Sequence, residues 1–224
     1  VNITNNKKEN KMKLRINKYL KQKKHWPQQG HHILAQYDKN SIVVYQAYRK
    51  SIGHFAAENQ FFGGEFSYSR MTWIKPNFLW MMYRSGWGTK PGQEVTLAIR
   101  LKSTVFDKYL TLAVASSFSQ SSIDNHDKWK ASIADSEIRL QWDPDHKPNG
   151  DKEVRKAIQL GIRGTQLKDF KGEGFLEIVD ISEFVKQQRE YVNSQLLNNL
   201  TTPEENIYVP EDSSVIENIG LDLL

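Results

Sequence analysis

The cations best placed to do chemistry stand inside the most aromatic stretch of the chain. Residues 70–93 read Arg-Met-Thr-Trp-Ile-Lys-Pro-Asn-Phe-Leu-Trp-Met-Met-Tyr-Arg-Ser-Gly-Trp-Gly-Thr-Lys-Pro-Gly-Gln and hold half of the chain's six Trp. Arg70, Lys75 and Arg84 beside so much apolar surface are costly to bury unless each meets a carboxylate, a carbonyl or a bound anion. Rings next to cations suit a planar base stacked on an aromatic face and a phosphate neutralised beside it. The loop from Arg84 to Gln93 adds Ser85, Trp87, Thr89, Lys90 and three glycines. That composition lets backbone N–H groups surround an anion. It is neither a P-loop nor a Rossmann fingerprint, since the GxxxxGK[ST] spacing is missing and a strand pattern follows. The plain alternative is a helix-capping glycine and a tight connection, with the cations stacked on rings.

Other chemistries find less support. The chain has no cysteine, which removes disulfides, thiolate zinc sites, iron–sulfur clusters and cysteine nucleophiles together. Its six histidines form no HExxH or tight zinc spacing. Asp143-Pro144-Asp145-His146 has ligating atoms, but Asp before Pro more often makes an Asx turn, so no metal site is expected. No GxSxG elbow supports a hydrolase triad.

The elements that must position the aromatic block follow from periodicity and turn chemistry. Ile33–Asp38 and Ser41–Tyr48 read as two strands of a hairpin, and Lys50–Asn59 as a short helix. Ser69–Lys75 reads as a strand. Asn77–Ser85 reads as a helix ended by Gly86, and its Phe78–Tyr83 run is apolar on all sides and therefore enclosed. Glu94–Leu101 is a strand pattern, and Ser103 caps a helix expected to reach about Ser117. A polar excursion spans Ser119–Lys130. Glu137–Trp142 alternates as a strand ended at Asp143-Pro144-Asp145, and Val154–Ile162 and Gly174–Ile181 are further strands. Asp180 with Glu183 opens a last helix to about Leu197. About six strands and four helices without a strict βαβ rhythm predict a single α+β domain with a mainly antiparallel or mixed sheet.

The net charge of +5 is unevenly spread. Residues 1–30 carry nine Lys or Arg against Glu9, a balance of +8; residues 198–224 carry six acids and no base, a balance of −6. We therefore expect a basic N-terminal extension over 1–30, a globular domain over 31–197 and an acidic tail over 198–224, with pairing of the two ends an attractive arrangement. Met12, Ile16, Tyr19 and Leu20 would share one face of a basic amphipathic helix, which could track nucleic acid, lie on anionic membrane or pack on its own domain. There is no signal-peptide pattern and no apolar run of the roughly 18 to 20 residues that cross a bilayer. The chain thus reads as soluble and cytoplasmic. Met12 is the first methionine, so residues 1–11 are expected to be an extension.

The block, with Gln36-Tyr37-Asp38, Val44-Tyr45-Gln46-Ala47-Tyr48, Gln141-Trp142-Asp143-Pro144 and Ile158-Gln159-Leu160-Gly161, resembles the family known as domain of unknown function 4291, over roughly Ile33 to Val185. The resemblance implies no activity. Two positions depart from it: Gln36 and Lys156-Ala157 stand where the family commonly has Arg and Arg-Ser. The layout is also loosely similar to ADP-ribosyltransferases, which use an Arg or His on one strand, a hydroxyl or aromatic group on another and a Glu or Gln on a third. On that analogy Tyr37, Arg70 and Gln159 are the candidate catalytic residues. Tyr45, Thr72, Trp73, Lys75, Arg84, Ser85, Trp87 and Lys90 are the candidate ligand-binding ones, with NAD the candidate cofactor. Arg70 or Arg84 would hold pyrophosphate, and Tyr37 or Trp73 would stack on nicotinamide. Three functions stay open: a transferase or binder of a nucleotide-like ligand, a nucleic-acid-binding module using the basic N-terminus, and a structural domain without a small-molecule site.

Overall fold

The structure, a computed structural model, describes residues 14–223. β1 (Ile16–Lys18) runs straight into the short α1 (Tyr19–Gln22), and β2 (Ile33–Ala35) precedes the long β3 (Ser41–Tyr48). α2 (Lys50–Asn59), β4 (Thr72–Ile74), α3 (Phe78–Ser85) and β5 (Val95–Lys102) follow. Next come α4 (Ser103–Leu112), β6 (Ala113–Ala115), α5 (His126–Asp135), β7 (Ile138–His146) and β8 (Lys152–Ile162). β9 (Phe175–Asp180), α6 (Ser182–Asn193), β10 (Thr201–Pro203), β11 (Asn206–Tyr208) and α7 (Ser213–Ile219) complete the chain.

The architecture is α+β, divided among small sheets. β3, β5 and β9 form an antiparallel sheet with β5 central, and β4, β8, β7 and β6 form a mixed one in which only β6 and β7 run parallel. The two sheets touch where Tyr45 and Lys75 exchange backbone hydrogen bonds at 2.7 and 3.2 Å. β3 is buried on both faces. Ile42 and Val44 join the larger apolar cluster with Leu97, Ile99, Leu140 and Leu160, while Val43 and Tyr45 point to a second cluster with Phe78, Leu79 and Met82. The period of two along a strand makes this division.

α3 is the centre of that second cluster, and Phe78 to Met82 are all buried, whereas Tyr83 at the end of the expected enclosed run is 40% exposed. Asn77 caps it by accepting from the Trp80 N–H at 2.7 Å, and Gly86 closes it at φ 59°. Buried Glu205 accepts from the Phe78 N–H at 2.6 Å at the same end.

The chain ends differ from the expected tails. β1 pairs with β10 and β11 pairs with β2, so residues 16–18 and 201–208 are woven into the domain. Tyr19, Trp26, Leu200, Tyr208, Val215, Ile219 and Leu221 are all buried. Counting charge over 27 residues hid apolar positions spaced between the acids. The ends do pair, but through a backbone ladder; no ion pair among the described residues joins them. The expected amphipathic helix is instead a strand followed by one turn of helix, with Tyr19 buried and Ile16 exposed; Met12 and residues 1–11 lie outside the described residues.

Three local expectations also shift. α4 stops at Leu112, because Ala113–Ala115 leaves the helix to pair with Ile138–Leu140. β7 continues through Pro144 to His146. Beyond Leu140 its side away from β8 has no strand partner among the described residues, with the Gln120 side chain bonded to the Trp142 backbone instead, and an edge outside a ladder tolerates proline. The hairpin turn at Asp38–Ser41 closes with a 2.8 Å backbone bond and Tyr37 bridges Ile42, while β2 itself, at Ile33–Ala35, pairs with β11. The extra strands are three residues long, too short for alternation to show.

Candidate functional site

An open cleft of about 440 Å³ lies where β3 meets β4. Its walls are Gln46, Ala47 and Tyr48 from β3, Met71, Thr72, Trp73 and Lys75 around β4, Met81 and Arg84 from α3, and Gln93, Gln141 and Gln159. Both sheets and one helix therefore contribute. Its size is that of a small-molecule site.

Hydrogen bonds fix the floor. The Gln46 side-chain amide donates to Thr72 Oγ1 at 2.8 Å and to the Trp73 carbonyl at 3.1 Å. A carbonyl only accepts, so the nitrogen must face it, and Gln46 Oε1 is left buried without a partner. Tyr48 and Thr72 share a hydroxyl–hydroxyl bond of 2.6 Å. Burial raises the Tyr48 phenol above its ordinary range, so it stays neutral. On the opposite wall Gln159 Nε2 donates to Gln141 Oε1 at 2.7 Å and to Asp143 Oδ2 at 2.8 Å. Burial pushes the Asp143 carboxyl up, against the opposing pull of Gln159, Lys75 and Lys156.

Lys75 is the unusual group. It is 4% exposed. Among the described residues its Nζ has no hydrogen-bond partner, and no carboxylate comes within 4 Å of it. Burial chiefly, and then the positive charge of Arg84, bring its amine down to about 7, with Asp143 pulling the other way. Arg84 is exposed at the same cleft, and its guanidinium has no ion pair among the described residues. Two cations without an ion pair among the described residues thus stand beside Trp73 and four Gln side chains, with Asp143 the carboxylate whose field reaches Lys75.

Of the residues singled out from sequence, the cleft gathers Thr72, Trp73, Lys75, Arg84 and Gln159. The others lie elsewhere. Tyr37 donates to the Ile207 carbonyl at 2.9 Å and packs edge-on against Tyr208, beside a separate 160 Å³ cavity with Arg15 and Arg100. Arg70 is exposed and does not line the cleft. Tyr45 is wholly buried against Phe78. Ser85 donates to the Met81 carbonyl at 2.9 Å, and Trp87 Nε1 donates to the Pro148 carbonyl at 3.0 Å.

Lys90 donates to the carbonyls of Arg84 and Tyr83 at 2.8 and 3.3 Å and lies 5.7 Å from the Tyr83 ring centre. The N–H groups of Gly86, Trp87, Thr89 and Lys90 all return to carbonyls at the end of α3. The loop is thus a helix cap with a capping lysine, and its N–H groups are not free to cradle an anion. Further along β7, Asp145 is bound to Arg155 at 2.7 Å and His146 stacks on Tyr83 and Trp80.

Sequence reasoning missed Gln46, Tyr48, Gln93 and Gln141. A signal existed for the first two: Gln46 and Tyr48 alternate on a strand that is otherwise almost wholly apolar, where a buried amide needs a reason.

With this geometry in hand, the comparison with known families is direct. Residues 32–208 match the model of a family described as a domain of unknown function (DUF4291), and the chain belongs to that family. No curated protein matches the chain.

Proposed function

From the premise of membership in an uncharacterised family, we propose that this protein binds a nucleotide-like, phosphorylated ligand in the cleft between its two sheets and transfers a group from it, with NAD as the candidate donor. The observation that carries the reading is the pair of uncompensated cations, Lys75 and Arg84, at a cleft of small-molecule size. They would hold a phosphate or pyrophosphate, Arg84 by its planar fork and Lys75 as a point charge. The half-buried Trp73 offers a face to a planar ring. Gln159, held by Gln141 and Asp143, would orient a ribose hydroxyl or the acceptor. The group-transfer part rests on the analogy with ADP-ribosyltransferases in a revised form, with Thr72 or Tyr48 as the hydroxyl group and Gln159 as the late-strand amide. Tyr37 and Arg70 do not line the cleft, and this form of the analogy does not use them.

A thermal-shift panel of NAD, ATP, AMP and inorganic phosphate tests this reading. The expected result is a raised midpoint with a nucleotide. The Arg84→Ala variant should lose that shift while its unliganded midpoint stays unchanged. No shift with any of them would remove the proposal and favour a purely structural domain.

A second reading has an observation of its own. Lys21, Lys23 and Lys24 flank Leu20 on an open patch at α1, a surface suited to a phosphate backbone. Titration with single- and double-stranded RNA and DNA at two salt concentrations decides it, because such binding must weaken steeply with salt.

A further inference from the structure

We propose that Lys75 is a nucleophile that forms an imine with the carbonyl carbon of a phosphorylated aldehyde or ketone seated in the cleft. The inference deepens the anion-site reading above and rests on it.

Several independent features of the cleft converge on this residue. Lys75 is the one lysine buried among the described residues. At that depth a lysine with a structural role has an ion pair or hydrogen bonds to hold its ammonium, because an isolated buried charge is strongly disfavoured. Lys75 has neither among the described residues. It also lines an open cleft rather than a sealed core, so a ligand can reach it.

The groups acting on Lys75 keep its amine partly neutral. Burial strips the ammonium of water, and Arg84 on α3 repels it, bringing the amine to about 7; Asp143 on β7 opposes them. Desolvation and a neighbouring cation are the two general ways of making a lysine nucleophilic at neutral pH. Arg84 has a second part, since its unpaired guanidinium at the mouth suits the phosphate of the same molecule. Tyr48 and Thr72 add neutral hydroxyls to the cleft wall.

The chemistry balances without an added reagent. The amine lone pair attacks the carbonyl carbon, a C–N bond forms, and one amine hydrogen moves to the oxygen to give a carbinolamine. The C–O bond then breaks as the C=N bond forms. Both amine hydrogens leave with the carbonyl oxygen as one water, and nothing is oxidised or reduced.

Reductive trapping on the full chain tests the proposal, with glycolaldehyde phosphate and plain glycolaldehyde as probes, borohydride as reductant and peptide mass mapping as readout. At pH 7 an amine titrating near 7 is about half neutral, against about one part in 3,000 for an ordinary lysine. Allowing for the weaker nucleophilicity of a less basic amine, Lys75 should be labelled on the order of a hundredfold faster than exposed Lys21. The phosphorylated probe should outrun the plain one, and Arg84→Gln should abolish that advantage. Labelling of Lys75 no faster than Lys21 would overturn the proposal. If inorganic phosphate still stabilises the protein in that case, the imine falls and the anion site stands; if phosphate also has no effect, both fall.

Discussion

Replacing Lys75 by Met should stabilise the empty protein, and the gain should disappear in alkali. The unfolded chain holds this lysine near its ordinary 10.5, and the folded chain holds it at about 7. A lysine whose folded value is depressed is a stability deficit wherever the unfolded chain is protonated and the folded one resists protonation. The deficit is full below pH 7, shrinks as pH rises through the window from 7 to 10.5, and vanishes above it. A difference of about 3.5 units corresponds to about 5 kcal/mol at the acid end and about 4 kcal/mol at pH 7. Met keeps most of the side-chain length and removes the charge, so Lys75→Met should recover up to that amount at pH 7 and almost nothing at pH 10.5. Denaturant unfolding of both proteins across this range measures it, because titrating groups that do not interact with Lys75 cancel in the difference. A variant that is less stable at pH 7, or a gain that does not change with pH, would refute the reasoning. Inorganic phosphate should narrow the gap from the other side, by stabilising the wild type and not the variant.

Further outcomes follow from other buried groups. Burial raises the Glu205 carboxyl well above its ordinary range, so its folded form keeps a proton that the unfolded chain has lost. Stability should therefore fall as pH rises above about 4.5, and Glu205→Gln, which retains an acceptor for the Phe78 N–H, should flatten that slope in pH-dependent denaturation. His146, brought down to about 4 by burial and by Lys152, acts in the opposite sense. It should lose stability as pH falls from about 6.5 toward 4, and proton NMR of its ring should show no titration above pH 5. Leu200 is fully buried although it lies in the acidic end of the chain. Leu200→Ala should cost about 2 to 5 kcal/mol in denaturant unfolding, whereas a loosely attached tail would lose almost nothing.

The longer elements were legible because their patterns are local. α2 spans the expected Lys50–Asn59, and α3 lies between the Asn and Gly that mark its ends. β3 and β5 stand out as eight-residue runs rich in apolar residues. The ends of the chain were not legible, since β1, β10 and β11 are three residues long and owe their form to partners far away in sequence. A charge count treats such segments as tails because it ignores whether Leu200 or Tyr208 has somewhere to go.

The site divides in the same way. Thr72, Trp73, Lys75 and Arg84 come from one continuous block, and density of cations among aromatics was enough to find them. Gln46, Tyr48 and Gln141 enter only because β3 and β7 arrive from other parts of the chain, and no spacing rule connects Gln46 to Gln141. Tyr37 and Arg70 stay outside the cleft for a related reason. Tyr37 bridges Ile42 next to the turn at Asp38–Ser41 and donates to Ile207 of β11, and Arg70 stands before β4 begins. What decides membership of the cleft is the crossing made by the Tyr45 and Lys75 backbones, which joins the two sheets and leaves the Lys75 side chain at their seam. The backbone of Lys75 thus helps hold the fold together, while its unpaired ammonium weakens it. An anion bound at the seam, as proposed for the cleft, would offset that cost by favouring the ammonium.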